Sequence, residues 1–332
     1  MTAEITPEET LCPGLLWGFD FVDGRAMPIK ETDLLSSESR HGGFRWLHLN
    51  LSDQRTLRWL SRAELFGPGA VDLLLSPDKT QSVAGDREST VLVLQDIELE
   101  FWESDPTIGA LRIAFGPSIL VTARRHPLRS AELVKLKLAS GALAVDLGSA
   151  LELVFHCMTD TLRTVINDLD SQVQTVEENL LRDRPAPDAR AFVGMRSLMV
   201  RLHRMLTGTR SLLRRCEDEG LLPPEASAPA ERFQGRLASL DAELLSIQSQ
   251  LRLVRDELDL QAAQRTNQNL YFLSVMTAVF MPATLITGFF GMNTGGLPWA
   301  SHNSGTFFAS ALVFGSSLLV YLVLRLSGFV RR

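Results

Sequence analysis

The chain has 332 residues, of which 22% are charged and 45% hydrophobic, and a formal net charge of −6. That length exceeds one small core, and the negative charge argues against a nucleic-acid-binding face. Cys12, Cys157 and Cys216 are odd in number and far apart, which excludes a disulfide framework and a CxxC metal site.

The opening MTAEITPEETLCPG has no basic start and no apolar run, so no secretory signal is expected. Up to residue 146, short β-rich runs alternate with helical patterns. FRWLHLNL (44–51), TVLVLQDIEL (90–99), ALRIAF (110–115) and SILVTAR (118–124) read as strands, while TLRWLSRAEL and HPLRSAELVKLKLA read as helices. Residues 1–146 are therefore expected to form a cytoplasmic α/β domain with a partly parallel sheet. No glycine-rich phosphate loop follows a strand, so nucleotide binding has no support.

Residues 147–265 read as a cytoplasmic helical stalk. Leu151, Val154, Phe155, Met158, Leu162, Val165, Ile166, Leu169, Val173 and Val176 recur at steps of three and four, which makes one apolar stripe. RPAPD (184–188) breaks it, with Asp188 available to start the next helix. That second helix carries Phe192, Met195, Leu198, Met199, Leu202, Met205, Leu206 and Leu213. LLPPEASAPAE predicts a proline-rich turn at Pro223 and Pro224. A third helix is expected from near Ala230, with Phe233, Leu237, Leu240, Leu244, Ile247, Leu251, Val254 and Leu258 on its stripe. No proline or glycine interrupts residues 236–281, so this helix should run on without a break into the segment that follows.

The composition changes abruptly at Thr266. From there onward the only charged side chains are Arg325, Arg331 and Arg332, which marks a change of solvent from water to lipid. LYFLSVMTAVFMPATLITGFF, within 266–290, is long enough to cross a bilayer, and Pro282 inside it need only kink the helix. A second span is expected at 306–326, joined to the first by a glycine-rich link at 291–305 without Lys, Arg, Asp or Glu. Arg265 before the first span and Arg325 with the basic tail at 327–332 place both termini in the cytoplasm of a multi-pass inner-membrane protein.

No catalytic grouping can be assembled, so the chain is not expected to be an enzyme. The histidines share no metal-ligand spacing; His156, Cys157 and Met158 are adjacent and point different ways on a helix, and His302 stands alone in the link. Asp160, Asp168, Asp170, Glu177 and Glu178 read as a solvated helix face, or as charges that concentrate cations near a pore mouth. In the first span, steps of three and four connect Asn267, Leu270, Ser274, Thr277, Met281, Thr284, Gly288 and Gly291. Such a polar or small stripe suits a water-filled pore narrowed at Leu270 and Met281, and it also suits small-residue helix packing.

Gly291, Met292 and Asn293 follow that stripe at the end of the span, between two terminal hydrophobic runs. With this GMN tripeptide, GFFGMNTGGLP around it and LVTARRHPL (120–128), the chain resembles the CorA metal-ion transporter superfamily. The resemblance implies a homopentameric funnel in which an α/β cytoplasmic domain and a helical stalk lead to two C-terminal transmembrane helices. It implies that the first span lines a central pore, and that Asn293 forms an outer ring receiving a hydrated cation through amide oxygens. Magnesium channels of the superfamily usually follow GMN with an acidic MPEL-type loop, whereas NTGGLPWASHN has no carboxylate and is similar to the zinc-transport, ZntB, branch. That branch implies proton-coupled uptake of Zn2+, with no resident cofactor. A magnesium, cobalt or nickel channel and a membrane-anchored scaffold or sensor remain the other readings.

Overall fold

The computed structural model describes residues 14–22, 25–29, 44–63, 65–85, 89–99, 106–116, 118–142, 144, 146–182, 189–292 and 304–329; the break expected at 184–188, with Asp188, lies outside them. The chain divides into two compact units, Met1–Arg252 and Leu253–Arg332.

In the first unit the described strands are β1 (Leu15–Val22), β2 (Arg25–Pro28), β3 (Phe44–Asn50), β4 (Ser82–Gly85), β5 (Thr90–Ile97), β6 (Ile108–Phe115) and β7 (Ile119–Arg124). They form one sheet in the order β2-β1-β3-β7-β6-β5-β4. Only β3 with β7 is parallel, so the parallel content expected from the sequence amounts to one pair. Consecutive strands β4 to β7 follow one another through short links, and short links join antiparallel neighbours.

LLWGFDFV forms β1 although it lies outside the runs expected as strands, and Gly18 and Asp20 interrupt its apolar run. The alternation is nevertheless regular. Trp17, Phe19 and Phe21 form an aromatic row with Trp46, while Asp20 receives both Nε and Nη2 of the buried Arg45 at 2.8 and 2.9 Å. The bidentate pairing is what admits a carboxylate to the sheet.

One sheet face is covered by α1 (Gln54–Arg62) and α2 (Pro68–Leu75), whose Leu60, Ala70 and Leu74 pack on Leu47, Leu49, Ala114 and Val121. Asp53 starts α1 by accepting the Arg55 amide. The opposite face carries α3 (Arg129–Ala139), which packs in turn on α4 (Leu147–Leu181). Here Asp96 of β5 is fully buried and accepts a hydrogen bond from Ser130 Oγ in the first turn of α3; burial pushes its carboxyl up to about 6. On the same face the Thr122 hydroxyl accepts Trp46 Nε1 at 2.9 Å and lies 2.9 Å from His48 Nδ1. Burial, helped by Arg124 and Lys135, holds His48 down at about 3, so its ring is neutral at physiological pH and serves packing against Trp17.

α4 opens with a reciprocal capping box between Asp146 and Ser149, and every residue of its expected stripe from Leu151 to Val176 is buried. It packs with the first part of α6 (Pro224–Phe290), which in turn meets α5 (Ala189–Asp218). The seams have specific ties. Phe155 stacks on Phe233 at 4.4 Å, Glu152 pairs with Arg232 and Arg236, and His203 Nδ1 lies 2.6 Å from the buried carboxylate of Asp241. Gln81, just before β4, donates to Thr209 Oγ1 and to the Met205 carbonyl, which fastens the sheet edge to α5.

α6 corrects the expected turn at Pro223 and Pro224. The helix begins at Pro224 rather than near Ala230. A proline in the first helical turn forfeits an amide that has no partner in any case. Pro229 lies one turn further on and cannot bond the Glu225 carbonyl. Gly148 of α4 approaches that carbonyl so closely that an added Cβ would stand 2.4 Å from its oxygen. Gly148→Ala is therefore expected to destabilise the protein by about 1–3 kcal/mol through overpacking, read as a lower melting temperature. Were the close approach absent, the alanine would stabilise α4 through its helix propensity, so the sign of the change decides.

Candidate ion pathway

The second unit is a hairpin of the α6 segment from Leu253 onward and α7 (Gly305–Leu326). Both helices are long and apolar enough to cross a membrane. α6 passes through Pro282 without interruption, so the proline neither ends the helix nor divides it. The amide it lacks would have bonded the carbonyl of Ala278, one turn back.

The packing of the hairpin separates two faces of α6. Val275, Ala278, Val279, Pro282, Ala283, Ile286 and Phe290 are the half-buried positions between 271 and 290. Ile286, Thr287, Phe290 and Gly291 share a groove with Thr306, Ala309, Ser310 and Val313 of α7. On α7 the half-buried positions Ala309, Val313, Ser316, Ser317, Val320 and Leu324 make the matching face. The hairpin thus closes on small and apolar side chains.

Asn267, Leu270, Ser274, Thr277, Met281, Thr284, Gly288 and Gly291 are all exposed. At 3.6 residues per turn this stripe is centred roughly 150° around the helix from the half-buried face. Packing within the hairpin therefore does not account for the polar stripe, which leaves lipid, water or another copy of the chain as its neighbour. Its hydroxyls are also oriented. Thr277 Oγ1 donates to the Leu273 carbonyl at 2.8 Å and Thr284 Oγ1 to the Phe280 carbonyl at 3.0 Å. With each proton spent inside the helix, the oxygen lone pairs remain free to accept from a neighbouring donor.

At the end of the stripe Gly291 N–H reaches the Thr287 carbonyl at 2.9 Å and Met292 N–H the Phe289 carbonyl at 3.4 Å. Met292 is exposed. Residues 293–303 of the link, with Asn293 and His302, and Arg331 and Arg332 lie outside the described residues. Among the described residues no cluster of His, Cys, Asp and Glu could hold a metal. Cys157 and Met158 are buried while His156 is exposed beside Asp160, and burial pushes the Cys157 thiol up to about 11. Asp168, Glu177 and Glu178 are exposed along α4, and Asp160 is held by Lys137 at 3.2 Å.

A mixed α/β unit, a very long helix and an apolar hairpin of two spanning helices define a membrane-protein architecture. Residues 41–326 match the family described as CorA-like Mg2+ transporter protein, and the chain belongs to that family of divalent-metal cation transporters. Among curated relatives, the zinc transport protein ZntB of Pectobacterium carotovorum subsp. carotovorum (strain PC1) is 27% identical over 291 residues, 86% of each chain. Full-length CmaX superposes with a TM-score of 0.78 at 22% identity, covering 94% of this chain and 97% of the other. The CorA magnesium transporter of Methanocaldococcus jannaschii gives 0.76 at 19% identity over 95% and 98%. At these identities the two structures establish the common fold, including both C-terminal spanning helices.

Proposed function

We propose that this protein is a homopentameric zinc transporter that takes up Zn2+ together with protons through a central pore. The pore is lined by Asn267, Leu270, Ser274, Thr277, Met281, Thr284 and Gly288 of 266–290, and the outer ring of GMN residues is contributed by Asn293. The 306–326 span surrounds it, the 1–146 and 147–265 regions are cytoplasmic, and the 291–305 link faces outward. One observation carries this reading: the polar stripe is exposed and turned away from α7, with its threonine lone pairs free to accept. The ZntB relatives and the carboxylate-free NTGGLP sequence favour zinc.

In the described residues of the two spans Tyr271, Tyr321 and Arg325 are the only ionisable groups besides the interfacial Arg265. No Asp, Glu or His stands among them, so in this reading protons follow the water column that carries the metal. Zinc flux into liposomes holding the purified protein tests this directly. Flux that grows with an inward proton gradient supports coupled uptake; flux indifferent to the gradient means a channel. A magnesium channel is the second reading, favoured by the description of the family, and competition between Zn2+ and Mg2+ in the same assay separates the two.

Met281 narrows the pore with an apolar side chain, where dewetting can hold it closed. Met281→Ser is expected to raise the resting leak of cations severalfold, measured as metal-dye signal in vesicles without a gradient. An unchanged leak would remove the narrow zone from Met281.

A further inference from the structure

The inner end of the hairpin has a built corner that the pore reading does not use. α7 ends at Gly328, which has φ +74°, a conformation that glycine adopts without strain. Phe329 N–H returns to the Leu324 carbonyl at 3.0 Å and Gly328 N–H to the Arg325 carbonyl at 3.3 Å, which is the glycine-terminated helix end. The turn lays Phe329 against Tyr271 of α6, ring centroids 5.9 Å apart. Arg325, exposed in the last turn of α7, stands four residues before Phe329 in the chain.

Among the described residues no carboxylate forms an ion pair with Arg325. The last carboxylate in the sequence is Asp259, twelve residues before Tyr271, which is roughly 18 Å at helical rise. An uncompensated guanidinium at the margin of a hydrocarbon layer is costly and seeks an anion in the interface. Amides of the preceding turns, Gln268 and Asn269, are exposed at the same end of α6. Guanidinium, aromatic rings and amides together match a phosphodiester with acyl chains below it.

We propose that this corner binds the headgroup of an anionic phospholipid, with Arg325 holding the phosphate and the Tyr271–Phe329 pair lying along the upper acyl chains. The site is independent of the metal carried and of the direction in which it moves. Its occupant is a membrane lipid, because the aromatic pair offers apolar surface that free phosphate cannot use.

The full-length protein, extracted from vesicles of phosphatidylcholine with phosphatidylglycerol, would be weighed intact by native mass spectrometry to count retained lipids. Arg325→Gln is expected to weaken phosphatidylglycerol retention roughly five-fold, the change that about 1 kcal/mol per basic residue at an anionic surface represents. Arg325→Lys should restore much of it, since the charge returns; a purely structural arginine would not be rescued in this way. Tyr271→Ala should lower retention of phosphatidylglycerol with the charge intact. Equal retention by the parent and Arg325→Gln would overturn the proposal. So would displacement of the lipid by inorganic phosphate, which would assign the corner to a soluble anion. Zinc flux by Arg325→Gln reads separately on the transport reading.

Discussion

Replacing Asn293 by alanine is expected to bring divalent-cation flux down to that of empty vesicles, while the assembly and its melting temperature remain those of the parent. The 291–305 link holds no carboxylate, so nothing there attracts a metal by charge. In the proposed pore, capture at the outer mouth would then depend on neutral oxygens. An amide carbonyl is a hard acceptor that can bind the waters around a divalent cation without stripping them. Gly291 and Met292, the two residues before Asn293, continue the hydrogen-bonded spiral from Thr287 and Phe289. Alanine keeps the backbone and removes the only side-chain oxygen of the GMN tripeptide. Asn293→Asp is the informative companion, because it keeps the geometry and adds charge. Flux by Asn293→Ala at the parental rate would remove the ring from the mechanism and bring the scaffold reading forward.

Asp96→Asn is expected to flatten the pH dependence of stability between about pH 4 and pH 6. Burial raises the Asp96 carboxyl to about 6, against the opposing pull of Ser130 and the Ile97 amide. A carboxyl whose folded value lies above its unfolded one binds more protons in the folded state, so its contribution is present at low pH. That contribution is lost as pH rises through the window between the two values. A displacement of this size corresponds to about 3 kcal/mol. At pH 7 the parent therefore carries a buried charge that the asparagine does not, and the variant should melt higher there. At pH 4 the two should differ little. Melting curves of both proteins across pH 4 to 7.5 provide the check: parallel curves would mean that Asp96 does not titrate in this window.

Much of the membrane part was legible because its signals are local. A run without charges, a stripe at steps of three and four, and a GMN tripeptide are each read from neighbouring positions, and α7 at Gly305–Leu326 follows from them. The stalk stripes from Leu151 to Val176 and from Phe233 to Leu251 are buried for the same reason: helical periodicity is a property of the segment itself. β1 was missed at Asp20 because its license to be in the sheet is Arg45, twenty-five residues away. The start of α6 was placed too late because Pro224 looks like a breaker in sequence and is harmless in a first turn.

Sequence alone determined that this chain has two spans, a continuous helix into the first of them, and a polar stripe along it. It left open whether that stripe served the hairpin or a pore, because both uses select the same small and hydroxyl side chains. Only the tertiary structure decided which face of α6 meets α7, by half-burying Val275, Ala278, Val279, Pro282, Ala283, Ile286 and Phe290. It likewise decided that Asp96 is a buried acid and that Phe329 closes on Tyr271. Which side chain meets which across a fold depends on how distant segments pack, and a helical period carries no record of the partner.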